Sequence, residues 1–208
     1  MRVLCACEFS QIVTSAFRER GHDAWSCDIL PSEGKYPEHH LQQDVLEVLD
    51  RDWDMMIGHP ECRFLANSGC KWLYKSGKKE NGRDEERWEN MRKGAEFFLK
   101  LKNADIPRIA IENPIPHGYA LEYMGPYSQI IQPWQFGHTE NKKTALWLKG
   151  LPLLQETNNV KALMKDMPKR ETDKVHYMSP GKDRGKRRSV FFEGIGEAMA
   201  DQWSNIER

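Results

Sequence analysis

The 208-residue chain predicts an α/β fold on a mostly parallel sheet, held in one domain covering residues 1–208. Short apolar runs alternate with amphipathic stretches of helical spacing, which is the pattern of strand–helix–strand units. The length suffices to bury one core. A thiol and a carboxyl follow two of the apolar runs, where open α/β sheets place their chemistry.

Arg2 to Ala6 reads as the first strand and Ser10 to Arg20 as the helix after it, with Ile12, Val13, Ala16 and Phe17 on one face. Gly21 closes that helix. Ala24 to Cys27 forms the second strand, ending at Asp28, and Asp44 to Leu49 begins a short helix or strand. Met55 to Gly58 is the third strand and leads into the loop carrying Cys62. The composition near 75–87 is charged and glycine-containing, which predicts a mobile loop. Trp88 to Lys102 is a helix with Met91, Ala95, Phe98, Leu99 and Lys102 as its inner stripe. The run from Ile106 to Ile111 is a strand that delivers Glu112. Ile130-Ile131 and Ala145 to Leu148 are two more strands, and a short basic insertion occupies residues near 155–190. The closing helix, Gly194 to Trp203, presents Ile195, Ala198, Met199 and Gln202 on one side. The chain shows no internal repeat.

Hydrophobic residues make up 39% and charged residues 30%, as expected of a globular protein with a wet surface. No apolar run is long enough for a membrane span and the N-terminus lacks a signal-peptide pattern, so a cytoplasmic protein is expected. The formal net charge is zero, so affinity for nucleic acid has to come from local patches. Five cysteines, an odd number with two inside strands, point to reduced thiols.

Cys62 and Glu112 at neighbouring strand ends form equipment for attack on an aromatic ring: sulfur adds to a carbon while the acid handles a ring nitrogen. Asp28 and Asp44 read either as ligand-binding acids or as a strand-end acid and a helix cap. The pair Lys142-Lys143 reads as a solvated turn or a substrate contact. The basic run Lys182 to Arg188 is a surface loop or, beside a nucleotide site, a phosphate contact through Arg187. Trp134 is a candidate stacking platform. His59-Pro60-Glu61 matches half of a zinc-deaminase motif, but no Pro-Cys-x-x-Cys pair follows. No metal site is expected.

In this order, the segments His59 to Gly69, Ile111-Glu112-Asn113-Pro114, Gln132 to Pro152 and Gly194 to Trp203 resemble the cytosine-C5 DNA methyltransferase family, especially its short phage-type members. The likeness implies a doubly wound, Rossmann-like sheet of the methyltransferase type that binds S-adenosylmethionine. It implies that Glu8, Phe9 and Ser10 cradle the methionine part, that Asp28 meets the ribose, Ile29 the adenine face and Asp44 the adenine amine, and that Pro60 lies beside the cofactor. It further implies that the Cys62 thiolate adds to C6 of cytosine, that Glu112 bridges N3 and the exocyclic amine, and that Lys142 or Lys143 orients the base. Asn113 and Arg187 complete the substrate contacts. The implied partner is DNA, presenting a single-stranded or flipped cytosine, or else a free cytosine nucleotide. A homo-oligomer or a separate recognition partner is compatible with either.

The chain departs from the family pattern at four places. Phe9-Ser10-Gln11-Ile12 lacks the usual glycines, and lysines stand where arginines are usual. Glu61 precedes the cysteine where a proline is usual, and a neighbouring carboxylate opposes thiolate formation. The stretch between Pro152 and Gly194 is too short for a full target-recognition domain. A binding module without chemistry is the rival that these departures raise.

Overall fold

The computed structural model describes residues 1–179, 181, 184–204 and 206. In chain order its elements are β1 (Arg2–Ala6), α1 (Ile12–Glu19), β2 (Asp23–Asp28), β3 (His40–Gln42), β4 (Met55–Gly58), α2 (Glu85–Lys102), β5 (Arg108–Pro114), α3 (Gly118–Met124), β6 (Gln129–Ile131), β7 (Thr144–Lys149), α4 (Lys169–Thr172), α5 (Lys174–Tyr177), α6 (Arg184–Ser189) and α7 (Glu193–Trp203). The seven strands lie in the order β3-β2-β1-β4-β5-β7-β6. The first five are parallel to their neighbours, whereas β7 runs antiparallel to both β5 and β6. The expected α/β, doubly wound and mostly parallel sheet is therefore present, with one reversed strand.

Alternate residues of the strands enter two separate cores. Val3, Cys5, Met55, Ile57 and Ala110 face the layer made by α1 and α7. Leu4, Ala6, Met56, Ile109 and Ile111 face the layer made by α2 and α3. Burial on both faces is why these strands read as continuous apolar runs rather than alternating ones. From β1 the chain winds outward to β2 and β3, then returns to the other side of β1 as β4. The strand order reverses between β1 and β4, and the crevice that forms at such a switch point is the ligand position of open sheets.

Several elements differ from expectation. The stretch near 75–87 forms short 3₁₀ turns at Lys75–Gly77 and Lys79–Asn81 and then enters α2 at Glu85, three residues before the expected start. Asp84 makes that start by accepting the Arg87 amide with its side chain at 3.1 Å. The buried stripe of α2 is Trp88, Met91, Ala95, Phe98 and Leu101; Leu99 is only half-buried, and Lys102 reaches out to the Met124 carbonyl at 2.7 Å. Asp44 to Leu49 is a 3₁₀ turn over Val45–Glu47. The short basic insertion near 155–190 holds α4, α5 and the whole of α6. On α7, Trp203 takes the buried place expected of Gln202, which bonds to the backbone of Gln155 instead. Lys182 and Asp183 of the basic run lie outside the described residues. Among those described, no helix is long and apolar enough to cross a membrane.

Candidate active site at the strand-order switch

The loop leaving β1 is shaped without glycine. Cys7 and Gln11 both adopt left-handed backbone, with φ of 59° and 55°, a conformation that strains residues bearing a Cβ. Gln11 is fully buried and its side chain is anchored three ways. Its amide nitrogen donates to Ser26 Oγ at 2.9 Å and to the Tyr36 carbonyl at 2.8 Å, while its Oε1 accepts the Tyr36 amide at 2.9 Å. Glu8, expected at the methionine part of a cofactor, is buried with its carboxylate turned into the start of α1. It accepts the Val13 amide at 2.7 Å, the Thr14 amide at 3.1 Å and the Thr14 hydroxyl at 2.6 Å. The two amide bonds satisfy orphan donors of the helix start and the hydroxyl bond reinforces them, so Glu8 acts as a cap. Phe9 is buried beneath Lys186 of α6, whose Nζ lies 5.1 Å from the ring centre and also pairs with Glu33. Ser10 is half-buried.

At the end of β2, Asp28 is half-buried and accepts the Leu30 amide at 2.9 Å. Burial raises its pKa above the ordinary carboxylate range. Ile29 beside it is 72% exposed, an apolar side chain standing open to solvent at the crevice rim. Asp44 is exposed and caps its 3₁₀ turn by accepting the Leu46 amide at 3.0 Å. Both acids lie close enough to Cys7 to push its thiol pKa up, after burial itself. An acid at the end of the second strand with an open apolar neighbour suits a nucleoside. The methionine side is less accommodating, because Glu8 is engaged and Phe9 is covered.

Across the switch point, the segment after β4 carries His59, Pro60 and Cys62. Pro60 is buried and Cys62 is half-buried. The Cys62 carbonyl accepts the amides of Leu65 and Ala66 at 3.0 and 2.9 Å, closing a turn. That turn is laced to the chain leaving β5: Asn67 donates to the Ile115 carbonyl at 2.8 Å and His117 to the Leu65 carbonyl at 3.0 Å. His117 Nε2 also donates to the Phe64 carbonyl at 2.9 Å. These bonds hold the thiol beside β5, which bears Glu112 opposite Leu146 of β7.

The Cys62 thiol is pushed up to about 11, by burial first and then by the Glu112 carboxylate, while Lys142 and Arg188 pull it down. Cys62, Glu112, Lys142 and Arg188 therefore share one electrostatic neighbourhood. The carboxylate that opposes the thiolate is Glu112, not the exposed Glu61 that the sequence suggested. Of the lysine pair, Lys142 faces this group, donating from Nζ to the Arg188 carbonyl at 3.0 Å; Lys143 is exposed. Arg187 is likewise exposed, and its neighbour Arg188 is the arginine turned toward Cys62. Asn113 is fully buried; it donates to the Pro114 carbonyl and leaves Oδ1 without a partner. Trp134 is half-buried under Lys161. A cleft of about 360 Å³ borders the site at Lys142, Arg188 and Phe191 but does not reach Cys62 or Glu112.

Sequence reasoning missed Gln11, Arg188 and the position of His59 beside Glu112. His59 Nδ1 lies 3.5 Å from Glu112 Oε1, with the two side chains 8% and 11% exposed. The only signal at that position was an unfinished zinc pattern. Among the described residues, no three histidine, cysteine, aspartate or glutamate side chains are grouped to hold a metal ion.

Fold and site together define a Rossmann-like α/β protein with a thiol, a carboxyl and two cations at the switch point. No family model and no curated protein sequence matches the chain. Among solved structures, a candidate DNA modification methyltransferase encoded within a prophage (E. coli) is similar to it at 13% identity and a TM-score of 0.43. The match covers 71% of this chain and 46% of that one, so the chain spans less than half of that protein.

Proposed function

We propose that this protein is an S-adenosylmethionine-dependent methyltransferase that modifies C5 of cytosine in DNA through a covalent bond to Cys62. The observation that carries the reading is the thiol of Cys62 sharing one neighbourhood with Glu112 and Lys142. At pH 7 a thiol of pKa about 11 is ionised in roughly one molecule in ten thousand, so the resting site is quiet. Glu112 is part of the reason. When its carboxyl meets N3 of a cytosine and becomes neutral there, the opposing charge disappears and Lys142 and Arg188 act on the sulfur alone. Substrate binding thereby switches on its own nucleophile.

Sulfur bonds to C6 as Glu112 passes its proton to N3 and takes up the thiol proton in its place, and the C5–C6 π pair moves onto C5. That pair bonds the incoming methyl group, whose old bonding pair stays with the donor's sulfur. Water takes the C5 proton, the C5–H pair restores the C5–C6 double bond, and the Cys62 sulfur leaves with the C6–S pair and is reprotonated as N3 gives up its proton. Asp28, Asp44 and Ile29 would hold the nucleoside of S-adenosylmethionine, which when bound supplies the electrophilic methyl. Lys142 holds negative charge near the ring in place, and the buried Pro60 helps keep water from the pocket floor.

DNA is favoured over a free nucleotide by the connection from Cys62 to α2. Residues 63–83 carry six cations (Arg63, Lys71, Lys75, Lys78, Lys79 and Arg83) against one acid, Glu80. All six are exposed, and among the described residues none forms an ion pair with a carboxylate. Trp72, 46% exposed, stands among them with Lys71 at 4.7 Å from its ring centre. Cations interleaved with an open aromatic ring suit a phosphate backbone with unstacked bases.

The test supplies methyl-labelled cofactor with duplex DNA, single-stranded DNA or dCMP. Label at cytosine C5 in DNA, lost in Cys62→Ser, is the expected result; label confined to dCMP removes DNA from the reading. Binding without chemistry is the second reading, favoured by the raised thiol pKa. It predicts that DNA containing 5-fluorocytosine never becomes attached to Cys62.

A further inference from the structure

His59 has no task in the scheme above, yet the fold gives it a costly position. Its side chain is 8% exposed, Nδ1 lies 3.5 Å from Glu112 Oε1, and Nε2 is buried without any partner. The ring is otherwise held by Phe191, edge to face, with centroids 4.7 Å apart. Glu112 is thus the one polar atom group in contact with this imidazole among the described residues. A buried ring with a single polar partner is poorly explained as packing, since an apolar residue of that size would fill the space without stranding a nitrogen. The arrangement makes sense if the partner is what matters.

The tautomer follows from the contacts. A neutral ring with its proton on Nδ1 gives the carboxylate a donor and leaves only a lone pair at Nε2. The other neutral form would set a lone pair against the carboxylate, and the doubly protonated form would add a buried N–H with nothing to receive it. The charged groups facing the ring are Glu112 from β5 and, further off, Asp28 from β2.

We propose, resting on the covalent cytosine reading, that His59 is a positioning residue for Glu112: its Nδ1, 3.5 Å from Oε1 and so an electrostatic contact rather than a formed hydrogen bond, orients that oxygen and leaves Oε2 as the one that meets the pyrimidine N3. A carboxyl free to rotate would offer either oxygen at many angles, and a ring nitrogen reached off-line takes up its proton poorly. The histidine therefore acts through Glu112 on the rate of addition, and leaves the grip on the nucleic acid unchanged.

The experiment follows covalent capture of Cys62 by 5-fluorocytosine-containing DNA in the full chain with cofactor, over a range of DNA concentrations. His59→Phe keeps the size of the ring and removes the donor. It is expected to slow capture about 100-fold at saturating DNA while the half-saturating DNA concentration stays within about 2-fold. His59→Asn, which returns an N–H near the Nδ1 position, is expected to recover to within about 10-fold of the wild type. In a Glu112→Gln background, His59→Phe is expected to have no further effect, because an amide cannot protonate N3 however its oxygen is held. A phenylalanine variant as fast as wild type, or one whose loss adds in full to that of Glu112→Gln, overturns the proposal. Should His59→Phe not fold, His59→Ala with added imidazole replaces it, recovery of rate supporting the role and its absence ending it. Wild-type protein that never captures the DNA sinks the covalent reading itself, an outcome distinct from any pattern among the histidine variants.

Discussion

At Cys62 three charges and a buried setting compete over one proton, and each can be removed singly. Iodoacetamide reacts with the thiolate, so alkylation of Cys62 in the free protein is expected to rise about tenfold per pH unit from neutrality toward pH 11. Glu112→Gln removes a charge that raises the pKa, so the curve moves to lower pH and alkylation at pH 8 is expected to quicken by about three- to tenfold. Lys142→Ala shifts the curve the other way. The measurement is mass-spectrometric labelling of the Cys62 peptide, and a slower Glu112→Gln protein contradicts the electrostatic account. Glu112→Gln is at the same time expected to lose methyl transfer, which separates a reactive thiol from a catalytic one. Cys62 and Glu112 stand out in the sequence because each follows an apolar run, although Glu112 lies within β5, paired with Leu146 and largely buried, rather than at the strand's end as expected. Gln11 and Arg188 do not. Gln11 works through a left-handed backbone and bonds to residues 15 and 25 positions away, and no local pattern encodes either. Arg188 acts on Cys62 from 126 residues further along the chain, with its carbonyl held by Lys142 Nζ, a contact across 46 residues.

Among the elements, α7 is the one on which the α1 side of the sheet depends. It packs on α1 and contributes Ile195, Ala198, Met199 and Trp203 to the core. Trp203 is fully buried and donates from its indole nitrogen to the Pro152 carbonyl at 3.2 Å. Trp203→Ala is expected to lower stability by about 3–5 kcal/mol, read as a lower urea midpoint. Gly194 sets where the helix begins: its amide donates to His138 Nε2 at 3.0 Å, and a Cβ there would enter the shell of the Phe136 carbonyl oxygen. Gly194→Ala is therefore expected to displace the start of α7 and lower Tm, whereas Gly181→Ala, with open space around it, should not. Long elements were legible because burial writes a period into the chain. The two-faced burial of β1, β4 and β5 gives unbroken apolar runs, and α2 and α7 carry 3.6-residue stripes. β3 has three residues with none fully buried, and α4, α5 and α6 are four to six residues long. Elements that short do not repeat a period often enough for it to be read.

For the molecule as a whole, 31 basic and 31 acidic residues cancel, yet they are not mixed evenly. The connection between Cys62 and α2 holds six cations and, apart from Glu80, the acids come only at Asp84, Glu85 and Glu86, where they serve the start of the helix. If all six cations contact a single strand, log K is expected to fall with log salt at a slope of about −4. Replacing Lys71, Lys75 and Lys78 with glutamine should reduce that slope by about 2 while leaving the thermal midpoint unchanged. Fluorescence anisotropy with labelled oligonucleotides at graded salt measures it, and an unaltered slope places the backbone elsewhere. The sheet itself was predictable, since its order follows from winding outward on both sides of β1, but this uneven charge belongs to a surface with no periodic signature.

The loop after β1 owes its bend to an amide locked from within rather than to a missing side chain. Glycine would make such a turn supple, able to mould itself around whatever arrives. Here Gln11 fastens the turn to Ser26 and to the backbone of Tyr36. Its curvature is set by folding, so whatever packs against this loop meets a turn whose ordering entropy is already spent.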